Sequence, residues 1–243
     1  MSERLKWNGE RLLLQIGAVA AILGTIFQVA AGTSQSAQLG AGADAALASL
    51  ADLADWVWPV TYVGFIFGVL LWVGALVALA STLTAGAAWA LGRLGVVAAI
   101  VGATLHTVDG SLNAGALAGL ARAWEVAPEG ERAALVQNGD LLLRILDGTW
   151  AGVITLFHGV PFVLVGLAVV LSHLYSPWVG WIGFIGGAGS LVIGIAMFLG
   201  LAPAGLAVPF AVVLSLFMIV LGWLMWNQAH VVTQRSGPME HAE

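Results

Sequence analysis

Six apolar stretches, at about 12–31, 59–80, 87–108, 151–171, 179–200 and 205–226, are each long enough to cross the ~30 Å hydrocarbon core of a bilayer. Lipid offers no partner for a free backbone N–H or C=O, so such stretches become helices. The chain therefore reads as an all-α polytopic membrane bundle of six transmembrane helices, one transmembrane domain over residues 1–243. Only 9% of residues are charged and 60% are hydrophobic, against roughly 25% charged in a soluble domain. Solution enzymes are excluded on that ground. Nucleic acid is excluded as a partner by a net charge of −5 and the lack of any basic tract. The absence of cysteine removes disulfides, thiolate metal sites and cysteine nucleophiles. Thirty-two glycines suit helices that approach closely in lipid, and their faces also offer a surface for homo-oligomers.

The first span follows Arg4, Lys6 and Arg11 like a signal peptide, but its apolar part is too long for an h-region and no small-x-small site precedes Gly32. It reads as a retained anchor in a multi-pass protein of the cell membrane. With both termini cytoplasmic, Arg4, Lys6, Arg11, Arg93 and Arg235 fall inside, and Arg122, Arg132 and Arg144 outside, in the sense of the positive-inside bias. Asp44, Asp52, Asp55, Glu125, Glu129, Glu131, Asp140 and Asp147 are then all outside. The outer connections are long: residues 33–43 read as a flexible loop, 44–56 as an amphipathic interfacial helix, and 113–146 as helical extensions of spans three and four around a turn at Pro128–Gly130.

Spans two and three align with spans four and five as a parallel repeat of hairpins. ValGlyAlaLeuValAlaLeuAlaSer from Val73 matches ValGlyLeuAlaValValLeuSer from Val165, and Asp55 and Trp58 match Asp147 and Trp150. The repeat predicts that Asp55 and Asp147 face each other across a pseudo-axis.

Ionisable groups within spans are costly, about 2.5–3.5 kcal/mol at a helix centre, so they mark candidate sites. Span three places His106, Asp109 and Asn113 on one face by their spacing of three and four. Span four carries Asp147, Thr155 and His158, and eleven residues from Asp147 to His158 return to the same face after about three turns. Pro161 predicts a kink below His158. These groups predict an outward-facing polar pocket lined by spans two, three and four. His158, Asp147, Asp109 and His106 are the candidate catalytic residues, and Asp55, Trp58, Trp150, Asn113 and Thr155 the candidate substrate contacts. Most of the eleven tryptophans fall where an aromatic belt would sit, with Trp72 and Trp89 deeper or nearer the inner turn.

ValAspGly at 108–110, AlaTrp-x-x-AlaPro-x-x-GluArg at 123–132 and ProTrpValGlyTrpIleGly at 177–183 resemble a widespread group of uncharacterised six-helix integral membrane proteins of high-GC bacteria. The resemblance implies the fold and carries no reaction. HExxH, Gly-x-Ser-x-Gly and phosphate-cradling glycine loops are absent. Three functions remain open at this point. One is an acid/base enzyme acting on a lipophilic substrate, such as an isoprenoid, that enters from the bilayer. Another is a small-molecule or proton-coupled transporter or binding protein. The third is an accessory subunit with a metal on His106, Asp109, Asp147 and His158, or a haem bracketed by the two histidines.

Overall fold

The structure, a computed structural model, describes residues 3–36 and 42–235, and these are helical with no strand. Six of its helical stretches are long and apolar enough to cross a membrane: Gly9–Gly32, Val57–Thr82, Gly86–Val126, Glu129–Leu171, Pro177–Phe198 and Ala204–His230. The chain is thus a six-span all-α membrane bundle. Its elements are α1 (Glu3–Ser36), α2 (Ala43–Ala51), α3 (Val57–Thr82), α4 (Gly86–Ser111), α5 (Ala118–Val126), α6 (Glu129–Val153), α7 (Val160–Leu171), α8 (Pro177–Phe198) and α9 (Val208–Arg235). A π-helical turn, Leu112–Leu117, joins α4 to α5, and another, Ile154–Gly159, joins α6 to α7. A short 3₁₀ turn, Ala204–Ala207, leads into α9.

Spans three and four run much further than their apolar cores at 87–108 and 151–171. They are 41 and 43 residues long, about 60 Å each at 1.5 Å per residue, so roughly half of each projects beyond the hydrocarbon. The projecting parts, α5 and the start of α6, pack on α2 to form a cap at one end. The expected helix at 44–56 is shorter than its pattern indicated. It stops at Ala51, and residues 52–56 turn before α3 begins. Pro59 explains the break: a helix continuing through 52–59 would set its ring against the carbonyl four residues back, whereas the first turn of a new helix needs no N–H there. Of the loop expected at 33–43, residues 33–36 belong to α1 and 37–41 lie outside the described residues.

Two apolar cores hold the bundle. The larger lies among the spans and includes Trp72, Leu76, Phe157, Phe162, Val165, Phe217 and Met218. The smaller lies under the cap and includes Leu47, Trp58, Tyr62, Phe65, Leu117 and Leu146. At the end remote from the cap, α7 and α8 meet backbone to backbone. A Cβ on Gly180 would stand 2.6 Å from both the Gly166 carbonyl oxygen and the Val170 nitrogen, and one on Gly187 would stand 2.6 Å from the Val163 nitrogen. Tyr175 finishes that end: its hydroxyl donates to Gln228 Oε1 of α9 at 3.0 Å and lies 3.0 Å from Thr82 Oγ1 of α3.

Candidate functional site

The two π turns shape the site, because a wide turn shifts the side-chain register and releases backbone groups from the regular ladder. In the first, the Asn113 carbonyl accepts the Ala118 N–H five residues on and also the Trp58 indole N–H at 3.1 Å, fastening α3 to the cap-side part of span three. The second precedes Pro161, which has no N–H and whose ring would meet the carbonyl four residues back in a regular helix. The expected kink is therefore a π turn at Ile154–Gly159, which carries His158 itself.

Between the two cores lies a cavity of about 500 Å³, walled by Asp109 and Asn113 of span three and by Asp147, Trp150, Ile154 and His158 of span four. Phe65 and Trp72 of α3 close one side, Gln28, Val29 and Gly32 of α1 another, and Ala204, Gly205, Val208, Ala211, Val212 and Ser215 the third. Helix α1 packs on α9, and α6 packs on α4 and α8, but α6 makes at most marginal contact with α1 or α9. The cavity opens in that gap, where Val29, Val208 and Val212 are exposed at 50%, 60% and 63%. An apolar exposed rim on a membrane-spanning bundle meets lipid.

Within the cavity Asp109 is buried and hydrogen-bonded. Thr149 Oγ1 donates to its Oδ1 at 2.6 Å, and Asn113 Nδ2 lies 3.4 Å from its Oδ2. Asp147 is exposed at the mouth. His158 is 5% exposed, and its side chain lies within reach of the Val153 backbone. Aromatic rings surround it, with centroids at 5.1 Å to Phe157, 6.2 Å to Trp72 and 6.4 Å to Trp150. No ion pair engages Asp109 or Asp147 among the described residues, and the wall contains no lysine or arginine.

The structure thus brings Asp109, Asn113, Asp147, Trp150 and His158 to one wall and leaves four other expected residues off it. His106 is buried behind the cavity, its ring 6.4 Å from that of His158 and 5.6 Å from Phe65, and its Nδ1 is unpartnered. Trp58 is buried in the cap core, committed to the Asn113 carbonyl. Thr155 returns its hydroxyl to the Ala151 carbonyl at 2.8 Å and faces α8, where Gly194 makes room for it. Asp55 stands exposed in the turn before α3 and does not line the cavity opposite Asp147. The expected set of His106, Asp109, Asp147 and His158 does not gather around a metal either: no group of three or more metal-ligating His, Asp or Glu side chains occurs among the described residues. His106 lies off the cavity wall, so the two histidines do not face each other across that space as a haem bracket would require.

The pocket is also wider than expected, with walls from spans one and six as well as two, three and four. Gln28 is the sequence signal for span one. It stands one turn beyond Thr25, whose hydroxyl accepts the Trp72 indole N–H at 3.2 Å, while Gln28 Nε2 donates to the Phe65 carbonyl at 3.1 Å. Two polar residues at i, i+3 on an otherwise apolar span mark a face turned to protein rather than lipid. Trp58 and Trp72 lie inside the bundle, whereas Trp56, Trp178, Trp181 and Trp223 are exposed as belt residues are.

No family model matches the chain, and no curated protein and no solved structure matches it.

Proposed function

We propose that this membrane protein admits a lipophilic small molecule from the bilayer into the cavity and acts on it by proton transfer, with Asp109 or Asp147 as acid and His158 as base. The observation that carries the reading is that these three side chains line one largely apolar cavity of about 500 Å³, a size suited to a drug-sized or isoprenoid-sized ligand. Thr149 and Asn113 hold the Asp109 carboxyl in place, and His158 belongs to the same wall. The positive-inside bias puts the cap and cavity on the outer side, with both termini cytoplasmic. The spacing of matched residues in spans two to five supports a parallel repeat as the origin of the two hairpins.

A binding protein without chemistry would use the same cavity. A transporter fits less well, because the wall residues end at Trp72 and His158 and the rest of the bundle is filled by Phe157, Phe162, Val165 and Val169. Organic extraction of natively purified protein, followed by mass spectrometry, tests the reading. A lipophilic compound near one per protein, lost when Ser215→Trp fills the cavity, is expected. Identical lipid profiles for the two proteins would contradict it.

A further inference from the structure

The charge balance of the cavity is unusual for a pocket that faces lipid. Two carboxyl groups, Asp109 and Asp147, share a wall on which no lysine or arginine stands, and among the described residues neither makes an ion pair. Buried or membrane-embedded charges are normally paired. Here the protein supplies hydrogen bonds to Asp109 and no counter-charge.

Aromatic faces complete the setting. Phe65, Trp72 and Trp150 line the same space, and the negative face of an aromatic ring attracts an organic cation by about 0.5–2 kcal/mol, more when water is excluded. The approach carries the same sign: the cap-side segments α2, 52–56, α5 and α6 hold eight Asp and Glu against three Arg. A field of one sign concentrates ligands of the other. An anionic amphiphile would meet repulsion at the mouth and find no basic partner inside.

We infer that the ligand is an amphiphilic organic cation, a quaternary or protonated amine on an apolar chain, whose head sits between Asp109, Asp147 and the rings of Trp72 and Trp150 while its tail leaves through the gap bounded by Val208 and Val212. This deepens the lipophile-binding reading and rests on it.

The test uses the full chain in lipid nanodiscs, with empty nanodiscs subtracted, and two radiolabelled probes that differ only at the head: decyltrimethylammonium and its uncharged carbon isostere 2,2-dimethyldodecane. Decanoate serves as the anionic counterpart. The cation is expected to bind at least tenfold more tightly than the isostere, with decanoate weakest. Asp147→Asn and Asp109→Asn should each lower that preference several-fold, and Asp55→Asn, which alters an exposed acid off the wall, should not. Equal binding of cation and isostere would overturn the cationic assignment and leave a lipophile pocket standing. Binding of none of the probes above the lipid background would overturn both.

Discussion

The two ends of the bundle are built on opposite principles. Away from the cap, α7 and α8 touch through Gly166, Gly180 and Gly187 with no space for a methyl group, and Tyr175 ties the loop to α3 and α9. At the cap end, a Cβ on Gly205, Gly115 or Gly148 would meet nothing within 4 Å, and a cavity separates α6 from α1 and α9. Glycine is abundant in both, so its frequency does not distinguish them. What differs is the partner of these particular glycines: backbone at Gly166, Gly180 and Gly187, open space at Gly205, Gly115 and Gly148. The close-packed end fixes the helices and leaves no polar path, and the loose end holds both acids and the imidazole of the cavity wall.

The contrast is broken most severely by filling the tight end. Gly180→Leu places a side chain where the Gly166 carbonyl lies, and overpacking of this kind costs about 3 kcal/mol or more. Loss of monodisperse protein on size-exclusion chromatography is expected, whereas Gly205→Leu should elute as the parent does. Equal tolerance at both positions would remove the distinction.

Next in size is Thr149→Val, which removes the hydroxyl donated to buried Asp109. A loss of about 1–3 kcal/mol is expected for an acceptor left without its main partner, read as a lowered thermal midpoint, with recovery in Thr149→Ser. The two histidines sharpen the comparison further. His158→Phe fits its aromatic neighbours, so the fold should persist while retention of the extracted ligand falls at least tenfold. His106→Phe, one layer behind, should retain the ligand.

The smallest effect belongs to the closed end. Burial pushes the Tyr175 phenol above its ordinary value of 10.0, against a smaller opposing effect of its bond with Thr82. The unfolded chain therefore releases that proton first as pH rises past 10, so stability should be intact below pH 10 and fall above it. Tyr175→Phe should flatten that decline in an alkaline thermal-melt series, and an unchanged slope would contradict the assignment.

Much of the fold was legible in the sequence because lipid imposes a simple rule: an apolar run of about twenty residues becomes a span. Spans three and four were legible only in their apolar cores, since their projecting halves are stabilised by packing under the cap, a tertiary effect that hydropathy does not record. Asp109, Asp147 and His158 were legible as costly residues within spans. Asn113 and His158 lie within the two π turns, which shift register by an amount that regular 3.6-residue spacing does not encode. Asp55 and Asp147 illustrate the limit. They align in sequence, but Pro59 starts a new helix after Asp55, whereas Asp147 lies inside α6, so similar residues stand in different settings. The walls from spans one and six were missed because Gln28 and Ser215 are neutral and inconspicuous.

The central claim is that the cavity at the cap end, the one whose wall carries Asp109, Asp147 and His158, is open to a ligand, whereas the packed face of α8 is sealed. Because the chain has no cysteine, single-cysteine variants report accessibility without background. Ser215→Cys lies on the cavity wall, and Ser190→Cys lies in α8 at a position 1% exposed. A small lipophilic maleimide is expected to label Ser215→Cys rapidly and Ser190→Cys at least tenfold more slowly in folded protein, with the difference abolished on denaturation. Equal rates at the two positions in the folded state would contradict the account.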